Sequence, residues 1–364
     1  MHINLSREEL LKPLSVVAGV VERRQTLPIL SNILVRHNGK TLSLTGTDLE
    51  VEITATLECA GDAGEATLPA RKLYDIARAL PSSAQINIVC EKDKATVKSG
   101  KSRFKLLTMP ASEFPSIETS SWDHTLTVQQ DRLRWLLDKT SFCMAQQDVR
   151  YYLNGLLFET NGKRLRTVAT DGHRLSMAEI ELDSSYKELQ VILPRKGVQE
   201  MSRFLNDSEH KAQIQIGTNH LRLTTDDITF TSKLIDSRFP DYTKVIPEAQ
   251  TKKILVGRDV FREALGRVSI LSNEKYRGVR FGLSKGGMSV TAHNPEQEEA
   301  QEEIAVDYNG EEIEIGFNVS YIIEAINSLD SETVEFGLND PNSSCTLRST
   351  ENNKYLFVVM PMRL

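Results

Sequence analysis

An internal repeat constrains the fold of this chain more than any other feature of its sequence. Residues 33–42 (ILVRHNGKTL) match residues 156–165 (LLFETNGKRL) at an offset of 123, and each block leads to a Thr-Asp pair, at 47–48 and 170–171. A third copy surrounds Asn294, which lies 123 residues beyond Asp171. Because a fixed period means that one structural unit is built several times, the chain divides into three units of about 120 residues.

Two further blocks support the same division. Residues 68–73 (LPARKL) match 193–198 (LPRKGV) and, more weakly, 317–322 (FNVSYI), and the copies end on Phe114-Pro115, Phe239-Pro240 and Met360-Pro361. Polar, turn-prone linkers near residues 120–126 and 247–253 are typical of domain boundaries. The sequence therefore predicts an N-terminal domain (1–124), a central domain (125–250) and a C-terminal domain (251–364).

Each repeat follows the order helix, strands, helix, strands. Apolar residues recur every three or four positions in the helical segments, and alternating runs such as 41–45 and 213–216 predict half-buried strands. Asn-Gly and Lys-Gly-Gly sequences between such runs predict hairpin turns. The fold class is therefore α+β, with an antiparallel sheet and two helices in each pseudo-repeated domain. The predicted helices span residues 8–21, 71–80, 132–144, 195–205, 258–271 and 319–329.

No group of residues predicts catalysis. Two sequences resemble the end of a P-loop (Gly39-Lys40-Thr41 and Gly100-Lys101-Ser102), but Leu34 and Ala95 occupy the place of the first glycine that a P-loop needs. His173 has no accompanying GxSxG nucleophile motif, and neither the seven His nor the four Cys have metal-ligand spacing. We therefore expect no enzyme, no cofactor and no metal.

Composition limits the cellular compartment in which the chain can act and, at first sight, the partners that it can bind. Scattered Cys without a paired pattern, a charged N-terminus and the lack of any run of 18 apolar residues indicate a reduced, cytoplasmic protein with no membrane partner. The 44 Lys and Arg against 50 Asp and Glu leave a net charge of -6, which argues against nucleic acid. That argument assumes that the charge is evenly spread along the chain.

The charge is in fact localised. The first two repeats hold 15 basic and 15 acidic, then 17 and 17 residues, whereas the third holds 12 and 18. No Lys or Arg occurs between Lys285 and Arg348, where the acidic residues cluster, and such a run often only faces solvent. It could instead meet the basic segment 101–105 (KSRFK) of a second copy, since a head-to-tail contact of this kind closes into a ring when the rotation permits.

Basic residues also recur on five of the six predicted helices, including Arg71, Lys72, Arg195 and Lys196. Each alone is weak support, because Lys and Arg favour helices and often only face water. If the helices of all repeats line one side of a ring, they form a basic wall that can follow a phosphate backbone without reading bases.

Several motifs resemble, over the full length of the chain, those of the bacterial sliding clamps, the beta-subunit family of DNA polymerase III. They are LSLTGTDLE (42–50), QDVRYYLNG (147–155), ATDGHRL (169–175), LSNEK (271–275), NPEQEEA (294–300) and VVMPMRL (358–364). The resemblance implies the DNA-clamp fold and a head-to-tail homodimeric ring that encircles duplex DNA. It also implies a processivity factor that tethers the replicative polymerase and has no catalytic activity of its own.

The resemblance further implies three sets of functional residues, matched position by position. Gln146, Lys244 and Asn342 depart from the family pattern. The DNA-facing set is Arg24, Arg71, Gln147, Tyr151, Tyr152, Arg195 and Lys196. The pocket for partner peptides is Leu153, Thr170, Gly172, His173, Arg174, Leu175, Pro240, Lys244, Val245, Asn318, Tyr321, Ser344, Val358, Met360, Pro361, Met362 and Arg363. The dimer seam is Lys72, Ile76, Arg103 and Phe104 against Ile270, Leu271, Glu298, Glu299 and Glu302.

The partners that the resemblance implies are a second copy of the chain, double-stranded DNA without sequence specificity, the polymerase III alpha subunit and the delta subunit of the clamp loader. Other polymerases and repair proteins would bind through short peptides. The competing interpretation is an interaction scaffold that never touches nucleic acid and whose helices face solvent.

Overall fold

The computed structural model describes residues 1–22, 27–117, 121–205 and 209–363. The chain forms two compact units. Unit 1 comprises Met1–Arg134 and Lys196–Ile235, and unit 2 comprises Trp135–Arg195 and Asp236–Leu364. Each unit is described by itself below.

Among the described residues, six α-helices confirm those predicted from periodicity, each beginning within two residues of the expected position. The first begins with a capping box, in which the Ser6 hydroxyl accepts from the Glu9 backbone N–H (3.2 Å) and the Glu9 carboxylate accepts from the Ser6 N–H (2.7 Å). The second ends just before Pro81, which has no N–H for a further helical turn. The helices are α1 (Arg7–Val20), α2 (Ala70–Ala79), α3 (Gln130–Thr140), α4 (Arg195–Phe204), α5 (Arg258–Val268) and α6 (Val319–Ser328).

Two antiparallel sheets make up unit 1. The smaller has the strand order β1-β6-β7-β8 and the larger β5-β2-β3-β4-β14-β13-β12-β9. Their strands are β1 (His2–Ser6), β2 (Asn32–His37), β3 (Thr41–Thr47), β4 (Val51–Glu58), β5 (Gly64–Pro69), β6 (Gln85–Glu91), β7 (Lys94–Ser99), β8 (Ser102–Leu107), β9 (His124–Gln129), β12 (Lys211–Ile216), β13 (His220–Thr224) and β14 (Ile228–Lys233).

Unit 2 also contains two antiparallel sheets, with the orders β10-β11-β22-β21-β20-β15 and β18-β17-β16-β19. The pairing of β10 with β11 shifts register between Thr160 and Arg164. Their strands are β10 (Gly155–Thr170), β11 (Arg174–Pro194), β15 (Lys252–Gly257), β16 (Gly278–Ser284), β17 (Gly287–His293), β18 (Glu299–Ala305), β19 (Ile313–Asn318), β20 (Thr333–Leu338), β21 (Cys345–Ser349) and β22 (Tyr355–Val359).

Sheets that continue from one repeat into the next explain why three repeats form two units. Strand β14 of the central repeat pairs with β4 of the first, for example at Phe230 and Ile53, while β11 pairs with β22 of the last, at Leu175 and Val358. The α+β class with antiparallel sheets is confirmed, and the strands of each repeat are shared between sheets. The domain boundaries at 124 and 250 stay a prediction.

The turn chemistry follows the sequence. The carboxamide oxygen of Asn38 accepts from the N–H groups of Lys40 and Thr41 (3.0 and 2.8 Å), and Gly39 has φ +99°, so the predicted Asn-Gly turn joins β2 to β3. In unit 2 the rings of Phe261, Phe281, Phe317 and Phe336 are fully buried and pack together. The centres of contacting rings lie 5.4–6.3 Å apart. Within the described ranges, no helix is long and apolar enough to cross a membrane.

Candidate functional site

A groove of about 210 Å³ lies within unit 2, where the ends of β10, β11 and β22 meet the segment that follows Phe239. Its wall is largely apolar, and a few polar groups converge on it, which is the usual composition of a ligand site. The lining residues are Arg150, Tyr152, Leu153, Thr170, Gly172, Arg174, Leu175, Pro240, Asp241, Tyr242, Val245, Val358 and Met360.

The turn between β10 and β11 shapes one end of this groove. The Thr170 hydroxyl donates to the Arg174 carbonyl (2.6 Å) and accepts from the Gly172 N–H (3.1 Å). The Asp171 carboxylate accepts from the N–H groups of His173 and Arg174 (2.9 and 3.1 Å). Gly172 has φ +89°, and a Cβ there would lie 3.0 Å from the guanidinium of Arg150. The turn is therefore held by its own side chains.

The matching turn of the first repeat has the same hydrogen bonds. The Thr47 hydroxyl donates to the Val51 carbonyl (2.9 Å) and accepts from the Leu49 N–H (3.0 Å), and the Asp48 carboxylate accepts from the N–H groups of Glu50 and Val51 (2.9 and 2.7 Å). Since both copies use Thr and Asp to close a tight turn, the repeated pair is a structural device and needs no reactive role.

Arg174 connects the groove to the elements around it. Its guanidinium donates to Asp171 (3.1 Å), to Glu324 on α6 (2.5 Å) and to the Phe142 carbonyl (3.0 Å), and it lies 4.4 Å from the centre of the Tyr321 ring. Burial alone would lower the pKa of the guanidinium, but its charged neighbours hold that pKa above the ordinary value. The cation is fixed by planar, multidentate contacts.

A second arginine forms the rim. The Arg150 guanidinium donates two bonds to the Asp148 carboxylate (3.1 and 2.9 Å) and a third to the Asp171 carbonyl (3.3 Å). The hydrogen bonds from Arg150 lower the pKa of Asp148 to about 2, so this rim carboxylate stays ionised at neutral pH.

The apolar wall comes from cross-strand neighbours and the C-terminal segment. Leu175 and Val358 pair across β11 and β22, so their side chains lie on the same face of the sheet. The Met360 N–H donates to the His173 carbonyl (2.9 Å), and the Met362 N–H donates to the Gly316 carbonyl (2.7 Å). The last residues are therefore attached at two points beside the groove.

Nine residues of the predicted pocket line this groove: Leu153, Thr170, Gly172, Arg174, Leu175, Pro240, Val245, Val358 and Met360. Others lie beside it. His173 stacks on Tyr321, with the ring centres 6.5 Å apart. The Asn318 side chain accepts a hydrogen bond from the Ser320 N–H and forms the N-cap of α6. Ser344 donates to the Val245 carbonyl, and Lys244 forms an ion pair with Asp241 at 3.3 Å. Pro361, Met362 and Arg363 follow Met360 directly in the chain.

The groove also contains residues that the sequence did not assign to it. Tyr152, predicted to face DNA, contributes to the wall, together with Arg150, Asp241 and Tyr242. The hydroxyl of Tyr242 interacts with Arg166 (2.8 Å) and Glu159 (3.3 Å), which fixes the ring against β10. Tyr242 lies two residues after the repeated Phe239-Pro240 pair, and this proximity was the sequence signal that could have identified it.

The predicted DNA-facing residues have varied surroundings. Arg24 lies outside the described residues. In unit 1, Arg71 is exposed and donates to the Val21 carbonyl (3.1 Å). In unit 2, Gln147 is exposed with φ +56°, and Tyr151 is 57% exposed. Arg195 donates to the Met144 carbonyl (2.9 Å). Among them, Tyr151 and Tyr152 meet edge to face with ring centres 6.2 Å apart.

Lys196 forms two ion pairs. Its ammonium group lies 2.5 Å from the Glu22 carboxylate and also contacts Asp48. Burial would lower the pKa of the ammonium, but both carboxylates raise it above the ordinary value. Lys196 is therefore charged, and that charge is largely balanced inside unit 1.

The predicted seam residues lie on two sheet edges and on two helical segments. Arg103 and Phe104 belong to β8, an edge strand, while Lys72 and Ile76 lie on α2. In unit 2, Glu299 and Glu302 belong to the edge strand β18 and Glu298 precedes it, while Ile270 and Leu271 form a short 3-10 turn after α5. The Ile270 side chain is 76% exposed, and Glu302 pairs with Arg267 (2.6 Å), which lowers the pKa of Glu302.

A repeated α+β fold that carries a largely apolar groove is typical of a binding protein. Three family models match the chain in succession: the N-terminal domain (residues 1–118), the central domain (127–241) and the C-terminal domain (243–363) of the DNA polymerase III beta subunit.

Relatives match over their whole length. The beta sliding clamp of Pseudomonas aeruginosa is 52% identical over 367 residues, and that of Escherichia coli is 47% identical over 366, each with 100% of both chains covered. A solved P. aeruginosa sliding clamp bound to griselimycin superposes with a TM-score of 0.97 at 51% identity, and one from Bartonella birtlesii, also bound to griselimycin, with 0.96 at 34% identity. Both comparisons cover 100% of each chain.

The chain belongs to the beta-subunit family of bacterial DNA polymerase III, the beta sliding clamps. Its role is that of a clamp in DNA replication, and the family is a non-catalytic processivity factor, which confirms the expectation that the chain is not an enzyme. The resemblance stated from the motifs is likewise confirmed.

Proposed function

We propose that two copies of this chain associate head to tail in a closed ring around duplex DNA. Two edge strands support this arrangement: β8, with Arg103 and Lys105, is basic, and β18, with Glu299 and Glu303, is acidic. Unpaired strand edges of opposite charge favour pairing between chains. Because each copy carries one edge of each kind, the contact repeats and closes with two-fold symmetry.

Exposed apolar side chains support the same seam. Leu107 on β8 is 71% exposed and Ile270 is 76% exposed, and large apolar side chains beside a charged edge are typical of a protein interface. We place Lys72, Ile76 and Phe104 opposite Leu271 and the acidic strand.

The ring would hold DNA by topology. We propose that Arg24, Arg71, Gln147, Tyr151, Tyr152, Arg195 and Lys196 face the duplex. Phosphate contacts of this kind are independent of sequence and weaken steeply with salt, so the ring can slide. The ion pairs of Lys196 with Glu22 and Asp48 imply that its contribution is small.

Retention on DNA tests the ring. A clamp loaded on a nicked circular plasmid should elute with it in gel filtration at moderate salt, and cutting the plasmid once should release the clamp. A clamp retained equally on circular and linear DNA would show that affinity, and not encirclement, holds it.

The groove in unit 2 is the observation that carries the tethering function. We propose that it accepts short peptides of the polymerase III alpha subunit, the clamp-loader delta subunit, and other polymerases and repair proteins. An apolar anchor would pack against Leu175, Val358 and Met360, with a polar group held near His173 or Asn318. The griselimycin-bound clamp of P. aeruginosa supports a peptide-binding site in the family.

Deleting residues 360–364 should abolish binding of a fluorescent partner peptide, because the wall formed by Met360 and the two backbone hydrogen bonds of the tail are lost together. The dimer should persist in the deletion variant. Val260→Ala, a change at a 59% exposed residue of α5, is the matched control and should bind normally. Unchanged peptide affinity after the deletion would refute the assignment of the groove.

We further propose that the clamp acts in the cytoplasm and that its domains meet near residues 124 and 250. The gap between the first two family models includes residue 124, whereas the second and third models meet at residues 241–243, a few positions before 250.

A further inference from the structure

A second groove lies in unit 1, apart from the one assigned above. It has a volume of about 210 Å³ and opens between α1, β4 and the first residues of β14. Its floor is apolar and consists of Pro13, Val16, Ala55, Leu57 and Ile228. Of these, Ala55 and Ile228 are almost fully buried, while Pro13, Val16 and Leu57 are partly exposed.

The internal repeat places the same junction in unit 2. Ile228 pairs with Ala55 across β14 and β4, and Tyr355 pairs with Ala178 across β22 and β11. The equivalence is confirmed by one more pair of matching backbone bonds, from Thr56 N to Asp227 O and from Glu179 N to Lys354 O, each 2.8 Å. On the helices, the offset of 123 residues makes Lys12 of α1 equivalent to Trp135 of α3, and Val16 of α1 equivalent to Lys139 of α3.

In unit 2 this junction is filled by the chain itself. The rings of Trp135 and Tyr355 meet edge to face with centres 5.6 Å apart. The ammonium group of Lys139 lies 4.8 Å above the Tyr355 ring and pairs with Asp330 at 2.6 Å, and this lysine side chain is only 7% exposed. Two aromatic rings and one paired cation therefore occupy the junction.

In unit 1 the equivalent residues are smaller or, in the case of Lys12, lie exposed at the rim. Ile228 stands in place of Tyr355 and Val16 in place of Lys139. Lys12, in place of Trp135, is 83% exposed and lies 3.8 Å from Asp227. The volume that rings and an ammonium group fill in unit 2 is thus left as a groove.

The rim of the groove is acidic. Glu8, Glu9, Glu58 and Asp227 are all exposed, against the single cation of Lys12. The hydrogen bonds from Ser6 lower the pKa of Glu9, which keeps that carboxylate ionised at neutral pH. An apolar floor beneath a net negative rim attracts an apolar group that carries a neighbouring positive charge.

We propose that this groove binds an aromatic side chain of a partner protein, from a segment in which Lys or Arg flanks the aromatic residue. The ring takes the place that Trp135 and Tyr355 fill in unit 2, and the flanking cation pairs with Asp227 or Glu58. The acidic rim disfavours nucleic acid, whose phosphates it would repel. The proposal does not depend on the ring or on the first groove.

The test uses the full-length protein and a fluorescein-labelled peptide, acetyl-Ser-Lys-Trp-Lys-Ser-amide, with a matched peptide in which Glu replaces both Lys. Fluorescence anisotropy should give at least tenfold tighter binding of the basic peptide, and the difference should shrink as salt is raised. Equal affinities, or no binding of the basic peptide at about 1 mM, would overturn the proposal.

Variants locate the binding. Lys12→Trp, which restores the aromatic residue of unit 2, should fill the groove and weaken binding at least tenfold. Asp227→Lys together with Glu58→Lys should do so through charge alone. Asp93→Lys together with Glu113→Lys, at exposed sites elsewhere in unit 1, is the charge-matched control and should bind normally.

The first groove provides the remaining control. Binding that survives deletion of residues 360–364 but is lost in the Lys12→Trp variant supports the proposal. The opposite pattern would place the peptide in the groove of unit 2 and overturn it. Circular dichroism of each variant separates lost binding from lost folding.

Discussion

Replacing Arg174 by Ala removes the side chain that holds the groove of unit 2 together. The Arg174 side chain is 10% exposed, and its guanidinium contacts three elements: Asp171 in the turn, Glu324 on α6 and the Phe142 carbonyl after α3. Without it, the Asp171 side chain, 17% exposed, loses its ion pair with Arg174, while its two bonds from backbone N–H groups remain. The Tyr321 ring also loses the cation stacked on it.

The size of the expected loss of stability follows from how deeply the Arg174 ion pairs are buried. Breaking a buried ion pair costs about 3–5 kcal/mol, and the lower end applies here because Glu324 is 46% exposed and can be hydrated after the change. A loss of about 3 kcal/mol lowers the melting temperature by roughly 6–12 °C for a unit of roughly 150–250 residues. Peptide affinity should fall at least tenfold, because the turn that shapes the groove loses its support.

Differential scanning fluorimetry and peptide anisotropy measure the two effects. Arg164→Ala is the matched control, since Arg164 lies on the neighbouring strand β10 but is 44% exposed and 4.0 Å from Glu179, a geometry worth about 0–1 kcal/mol. If Arg174→Ala changes stability and affinity no more than Arg164→Ala does, the assigned role of the buried network is wrong.

Three further predictions concern other parts of the molecule. Ile270→Ala with Leu271→Ala should give a monomer by sedimentation, because each apolar side chain buried at the seam contributes about 1.5–3 kcal/mol; an unchanged dimer would exclude this seam. Burial raises the pKa of Glu52 above its ordinary value despite a hydrogen bond from the Ile117 N–H. The ionised carboxylate therefore destabilises the folded state. This loss of stability grows as pH rises through the pKa that Glu52 has in the folded protein. Glu52→Gln should therefore raise the melting temperature at pH 7 but not at pH 4, and a lower value at pH 7 would contradict the argument. Burial raises the pKa of the Cys143 thiol far above neutrality, so iodoacetamide should not modify it in the folded chain at pH 8, whereas modification seen by mass spectrometry would show that the site opens.

Much of the fold is readable from the sequence because local signals repeat. Apolar spacing located all six helices, the Asn38-Gly39 pair located a hairpin turn, and the Thr-Asp pairs marked two turns that prove to have identical hydrogen bonds. These features depend on residues within a few positions of one another. The same local patterns occur again 123 residues further along the chain, so each prediction is supported by a second copy.

The groove of unit 2 was predicted in part. Nine of its lining residues were assigned to the pocket from the family resemblance, but Tyr242 and Arg150 were missed because their place depends on contacts with distant segments. Tyr242 reaches Arg166 and Glu159 from about eighty positions away, and no local pattern reports such a contact.

The sequence by itself determined the number of repeats, their helices, the chemistry of their turns and the segregation of charge into the last repeat, because each of these is a property of neighbouring residues or of composition. Only the tertiary structure decided which strands join across repeats, that the charge of Lys196 is balanced by Glu22 and Asp48, and that one junction is filled by Trp135 and Tyr355 while its counterpart stays open. Such outcomes depend on side-chain volume and charge brought together from remote parts of the chain, and the same repeat can therefore build a closed core in one place and a groove in another.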